Sequence, residues 1–262
     1  PLDRNSVDLD IDYQEVSFSS RYDGITLKGW YMPSDSSSAI IIVLGGFQNR
    51  IDNNVNSPEL ARDLALAGYN VLLFDLRGRG ESEGKGILLS KIEEDLGGAF
   101  DFVKSQGIKP EKIHFLGFST GAASTAMFAA QHELSAVILC SCFAELKSVA
   151  VNKLESTVIP TFIIDTIYPG IVIAGNLIYD FTPLNPIDVI DDVDCPILFI
   201  YEEEDDIIKF DGIKRLVEKA ENPHNQLWIA EDAQHSQSYK VHPEAFIERI
   251  TNFLNTVENN GK

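Results

Sequence analysis

Three groups of residues in this 262-residue chain could do chemistry together: the serine of Gly117-Phe118-Ser119-Thr120-Gly121, the histidine at 235, and the acids Glu202-Glu203-Glu204-Asp205-Asp206. A serine hydroxyl is a weak nucleophile until a base removes its proton. That base in turn needs an acidic partner to fix its tautomer and stabilise its charge. Glycines on both sides of Ser119 permit a sharp, strained turn that lifts the hydroxyl clear of the chain. The pentapeptide alone arises by chance about 0.1 times in a chain this long, so its surroundings must carry the assignment.

Of the five histidines, only His235 stands in a short loop directly after a strand-like run, at 226–230. His114 lies within a strand, His132 at a helix end, His224 ahead of the last strand and His242 at the start of the last helix. The acid should follow the strand at 196–201. Asp205, placed where the chain turns back toward Ile207 and Ile208, is preferred over Asp206 and Glu204. The remaining acids read as a solvated cluster that raises the basicity of a nearby histidine. A tetrahedral oxyanion needs two backbone donors. Thr120, directly after the serine, and Phe47, after the close-approach pair Gly45-Gly46, are the candidates.

These residues need a scaffold, and the apolar pattern supplies one. Residues 13–20 and 25–32 alternate as a hairpin around Asp23-Gly24. Residues 39–44 and 69–75 are continuous apolar strands, with a helix between them that opens on Ser57 as cap and Pro58 and ends at Gly68. A glycine-rich loop follows at 77–86. Ser90-Lys91-Ile92-Glu93 reads as a capping box before a helix carrying Leu96, Ala99, Phe100 and Val103. Residues 112–126 read as strand, turn and helix, and 135–142 as a strand. Residues 144–185 lose this rhythm and read as an inserted helical cap. Strands at 195–201 and 226–230 and helices at 210–220 and around Phe246, Ile250, Phe253 and Leu254 complete the chain. The fold class is α/β: a mostly parallel central sheet, led by an antiparallel hairpin, with helices on both faces. Ligands of such sheets bind beyond the carboxyl ends of the strands, where Ser119, Asp205 and His235 all fall.

Composition narrows the function further. A hydrophobic content of 44% over this length can build one large domain. Twenty-one Lys and Arg against 40 Asp and Glu give a net charge of −19, which disfavours nucleic acid and anionic membrane surfaces as partners. Cys140, Cys142 and Cys195 read as packed, reduced thiols. Cys140 and Cys142 are expected on one strand face, too few ligands for a metal. The longest apolar stretch, 158–173, is interrupted by Pro160, Asp165, Pro169 and Gly170 and falls short of the roughly 20 residues a spanning helix needs. The default expectation is a soluble, cytoplasmic domain, although a chain beginning at Pro1 leaves room for a leader or anchor upstream. Oligomeric state is not fixed by the sequence.

The order Ser119, Asp205, His235 resembles that of the α/β-hydrolase superfamily. So does Asp75-Leu76-Arg77-Gly78-Arg79-Gly80-Glu81-Ser82, which matches the D-x-R-G-x-G-x-S loop common there. The opening from Asp23 to Pro33 looks like that of the bacterial serine aminopeptidase and esterase-like branch, several members of which carry an N-terminal membrane anchor. Two positions depart from the pattern: Gly45-Gly46 stands where relatives usually read His-Gly, and Glu202 where they usually have glycine. The resemblance implies a single α/β-hydrolase domain over residues 1–262, with a cap at about 144–185 and cofactor-independent serine hydrolase chemistry on a small-molecule acyl substrate. The apolar cap residues Phe162, Ile163, Ile167 and Tyr168, with Val158, Ile159 and Ile164 beside them, suit a small to medium acyl group of a carboxylic ester. Thioesterase, acyltransferase and peptidase or amidase chemistry share the same acyl-enzyme. A non-catalytic binding module on the same fold is the alternative of a different class.

Overall fold

A computed structural model of the chain describes residues 9–21, 23–85, 91–155, 161–179 and 182–260. Residues 1–8, Gly86, Ser90, Val158, Ile159 and Pro160, to which the sequence reading refers, lie outside the described residues. The expected hairpin is β1 (Gln14–Ser19) and β2 (Thr26–Met32), antiparallel, with Gln14 opposite Tyr31 and Ser19 opposite Thr26. The remaining strands are β3 (Ala39–Val43), β4 (Asn70–Phe74), β5 (Ile113–Phe118), β6 (Ala136–Cys140), β7 (Ile197–Glu202) and β8 (Gln226–Ala230). They form one eight-stranded sheet in the order β1-β2-β4-β3-β5-β6-β7-β8. β2 pairs antiparallel with β4, and every pairing from β4 onward to β8 is parallel.

The helices are α1 (Ser57–Leu66), α2 (Ile92–Ser105), α3 (Thr120–Ala129), α4 (Leu146–Glu155), α5 (Thr161–Tyr179), α6 (Phe210–Lys219), α7 (Ser238–Val241) and α8 (Pro243–Asn260). The strands β3 to β7 are buried throughout because both faces of the sheet are covered. The two-residue period of a strand divides them between two cores. Ile41 and Val43 pack with Leu96, Phe100, Ala122 and Ala126 of α2 and α3. Ile40 and Ile42 pack with Leu60 and Leu64 of α1 and with Phe246 and Ile250 of α8. Among the described residues no helix is long and apolar enough to cross a membrane.

Three local readings are corrected. Ser57 is the first helical residue of α1 and not its cap; Asn56 precedes it at φ 60° and makes no side-chain cap. The Ser57 hydroxyl instead donates to the Arg50 carbonyl at 3.1 Å, and its N–H donates to Asn53 Oδ1. The residue flanking α2 is Lys91, at φ 64° and without a side-chain cap, one residue later than the expected cap at Ser90, which lies outside the described residues. Cys140 and Cys142 do not share a face, because β6 ends at Cys140 and Ser141 turns at φ 49°. Cys140 therefore enters the core with α8 and Cys142 the opposite core. All three cysteines are buried free thiols.

The loop after β4 is built on inward-facing charge. Asp75 is buried, and its Oδ1 accepts the Arg50 N–H at 2.8 Å while Oδ2 accepts the Glu81 N–H at 3.0 Å. The Arg50 guanidinium pairs with both Asp75 and Glu81 and lies 5.1 Å from the centre of the Trp30 ring. Removing one member of a buried pair leaves the other charge uncompensated, at a cost of about 3–5 kcal/mol. Asp75→Ala is therefore expected to lower the urea midpoint by that equivalent with an unchanged m-value. A loss under 1 kcal/mol would show that the pair is dispensable.

Candidate active site

β5 runs down the middle of the sheet and passes directly into α3, and Ser119 is the residue between them. Its backbone sits at φ 53° and ψ −117°, a conformation that costs a non-glycine residue on the order of 1–3 kcal/mol. The surroundings hold it there. The Ser119 N–H donates to the Cys140 carbonyl at 2.9 Å, and its own carbonyl accepts from the Ala123 N–H at 3.0 Å. Neighbouring elements approach too closely for any side chain. A Cβ on Gly45 would stand 2.9 Å from Ser119 Cβ and 3.0 Å from the Thr120 nitrogen, and one on Gly121 would stand 2.9 Å from the Leu44 carbonyl. The glycines of the pentapeptide and of the loop after β3 thus interlock at the turn.

The loop after β8 brings His235 to this serine. Its Nε2 lies 2.9 Å from Ser119 Oγ and its Nδ1 lies 2.7 Å from Asp205 Oδ2. The Asp205 side chain is fully buried and that of His235 is 13% exposed. The other Asp205 oxygen, Oδ1, accepts the N–H groups of Ile207 and Ile208, each at 2.8 Å. These two amides aim the carboxylate and leave Oδ2 for the imidazole. Nδ1 then carries the proton and Nε2 presents its lone pair to the serine hydroxyl. Glu203, Glu204 and Asp206, by contrast, are exposed. Three of the other histidines have separate partners for their side chains: His114 with Glu258, His132 stacked on Phe128, and His242 donating to the Glu231 carbonyl.

Thr120 is the first residue of α3, so its N–H has no intrahelical acceptor and points out of the helix N-terminus. Its hydroxyl accepts the Gly46 N–H at 2.6 Å, which ties the loop after β3 to the elbow. Gly46 sits at φ +60°, and the exposed Phe47 follows it. Arg79 braces this loop in a way the sequence gave no reason to expect. Its guanidinium lies 4.5 Å from the centre of the Phe47 ring, and its Nε donates to the Gly46 carbonyl at 3.1 Å. Gln48 and Asn54 form a second brace. Gln48 Nε2 donates to Asn54 Oδ1 at 2.6 Å, and Asn54 Nδ2 donates to the His235 carbonyl at 3.1 Å.

Between β6 and β7 stand α4 and α5. Asn152 of α4 donates to the Ile207 carbonyl at 3.0 Å, which joins this segment to the loop carrying Asp205. Ile164 is buried, whereas Ile163 and Ile167 are 38% and 50% exposed. Tyr168 is partly covered, its hydroxyl buried without a hydrogen-bond partner among the described residues and the Lys147 ammonium 5.9 Å from its ring centre. The Phe162 side chain lies outside the described residues.

The family model described as "Serine aminopeptidase, S33" matches residues 35–180, more than half of the chain. YqkD of Bacillus subtilis is 28% identical over 245 residues, covering 89% of this chain and 77% of YqkD. The structure of the Pyrococcus furiosus esterase Pf2001 superimposes with a TM-score of 0.78 at 25% identity, covering 95% of this chain and 92% of that one. A proline iminopeptidase of Mycobacterium smegmatis shares the fold, with a TM-score of 0.70 at 16% identity over 95% of this chain and 100% of that one. By its sheet and by the match across most of its first two thirds, this chain belongs to the S33 serine aminopeptidase family of α/β-hydrolases.

Proposed function

We propose that the protein is a serine hydrolase that cleaves carboxylic esters with small to medium apolar acyl groups through an acyl-enzyme on Ser119. The observation that carries this reading is the continuous path from Asp205 Oδ2 through His235 to Ser119 Oγ, at 2.7 and 2.9 Å. In it His235 accepts the serine proton as Oγ bonds to the acyl carbon. Asp205 stabilises the resulting imidazolium, and the backbone N–H groups of Phe47 and Thr120 receive the oxyanion. The imidazolium then gives its proton to the departing alcohol oxygen. A water molecule, deprotonated by the same imidazole, attacks the acyl carbon and returns Ser119 to its free form.

We read residues 1–262 as one hydrolase domain, with residues 144–185 as a cap over the site. Phe162, Ile163, Ile167 and Tyr168 are its proposed acyl contacts. The apolar surface on Ile163 and Ile167 and the esterase among the structural neighbours support an apolar ester. The family description and the iminopeptidase neighbour support amide cleavage as the second reading. The two differ only in the leaving group.

Against chromogenic esters of increasing acyl length, wild-type activity is expected to peak at a short or medium chain and to exceed activity on aminoacyl anilides. Ser119→Ala should lose about 10⁴-fold or more in kcat and all labelling by a fluorophosphonate. A preference for aminoacyl anilides would replace the esterase reading with a peptidase one, and an unlabelled wild type would remove the acyl-enzyme altogether.

Asp205→Asn keeps the shape of the acid but allows the wrong imidazole tautomer, and a comparable change in a serine protease costs about 10⁴-fold in kcat. The expected outcome here is a loss of about 10³- to 10⁴-fold in kcat with KM little changed. A loss under tenfold would remove Asp205 from the mechanism.

A further inference from the structure

Glu202 ends β7 with a fully buried side chain, three residues before Asp205. Its Oε2 accepts the Ser141 hydroxyl at 2.6 Å and its Oε1 accepts the Ser238 hydroxyl at 2.9 Å. Ser141 is itself the acceptor for Ser236, taking the N–H at 2.9 Å and the hydroxyl at 3.2 Å. Ser236 immediately follows His235, and Ser238 begins α7 two residues later. All three serines are buried, and both Ser141 and Ser236 sit at positive φ, 49° and 59°. Such conformations persist only where the surroundings over-determine them. The carbonyl of Glu202 also accepts the Asp205 N–H at 3.0 Å.

We propose that Glu202 is a positioning residue for His235: through Ser141 and Ser238 its ionised carboxylate holds the chain on the C-terminal side of the imidazole and so fixes where the imidazole stands. The proposal rests on the serine hydrolase reading above. An ionised carboxylate can only accept, so both serine hydroxyls turn toward it and Ser141 keeps its lone pairs for Ser236. A protonated carboxyl must donate to one of the two serines, and that hydroxyl then has to find another acceptor.

Burial raises the Glu202 carboxyl to about 7, and the neighbouring Asp205 charge adds to the rise. The Ser141 and Ser238 hydrogen bonds and His235 oppose it. The other titratable groups coupled to Glu202 are Tyr201 beside it on β7 and Cys140 at the end of β6. Glu202 therefore changes charge in the range where a serine hydrolase works. Its anchoring of His235 is complete above this value and weakens as the pH falls through it.

The test is the pH dependence of fluorophosphonate labelling of Ser119 and of ester hydrolysis in wild type, Glu202→Gln and Ser141→Ala. The ratio of the wild-type rate to the Glu202→Gln rate is expected to rise as the pH increases through about 7. The variant should be about tenfold slower than wild type at pH 8 and nearly equal to it at pH 6, with the loss in kcat and not in KM. Ser141→Ala keeps the carboxylate and cuts its link to Ser236, so it should also be slower at pH 8. It serves as the independent check if Glu202→Gln folds poorly. Equal fractional losses at both pH values, or no loss in either variant, would overturn the proposal while leaving the hydrolase reading intact. Failure of the wild type to label would instead overturn the reading on which it rests.

Discussion

The site depends on keeping Ser119 at φ 53° and ψ −117°, and that demand reaches well beyond one residue. A strained turn persists only if its neighbours leave no easier conformation. β5 is suited to this because it lies between β3 and β6 and has a partner on each side. From one side the end of β6 supplies the Cys140 carbonyl for the Ser119 N–H. From the other, Gly45 presses against the elbow closely enough to exclude a side chain. Ser119 is thus set by a strand paired on both sides. Asp205 and His235 arrive on loops after β7 and β8, nearer the edge, and need braces of their own.

Those braces explain which parts of the molecule were legible in its sequence. Strands and helices declared themselves through period and burial, so β3 to β7 appear within one or two residues of expectation. Asp205 was legible because its preference rested on a local event, the chain turning back at Ile207 and Ile208, and those are the residues whose amides it accepts. The local errors have one cause. Asn56, Lys91 and Ser141 each adopt positive φ at the end of an element, and residues other than glycine give no warning of this. Ser57 is displaced from the cap, the residue flanking α2 falls at Lys91, and Cys140 and Cys142 separate onto two faces. The contacts of Arg79 with Phe47, Asn54 with His235 and Glu202 with Ser141 were not legible at all. They join residues far apart in the chain, and no spacing rule connects them.

The acidic balance of the chain hides a second design feature. Forty acids face 21 bases, yet Arg50, Arg77 and Arg79 are nearly buried. A guanidinium offers five donors in a rigid plane, so one buried arginine can satisfy several acceptors on different elements. Arg77 bonds to Asp95 on α2, to Asp23 in the hairpin turn and to Ser20 beyond β1. Arg50 joins the loop after β3 to Asp75 and Glu81, and Arg79 carries the connection to Gly46 and Phe47. The D-x-R-G-x-G-x-S loop is therefore a clamp. It fixes the hairpin to the sheet and supports the segment that carries Gly46 and Phe47.

Two carboxylates near one imidazole would be redundant if they were held alike, and they are not. Asp205 is fixed by two backbone N–H groups, donors that cannot reverse. Glu202 is fixed by two serine hydroxyls, which rotate and can accept as readily as they donate. Protonation at Glu202 therefore turns a hydroxyl and loosens its network, whereas the amides that hold Asp205 cannot turn. In this chain the end of β6 serves both at once: the Cys140 carbonyl holds Ser119 and the Ser141 hydroxyl holds Ser236, the residue after His235. A shift of that strand end would move Ser119 and His235 together, which preserves their 2.9 Å separation better than two independent anchors could.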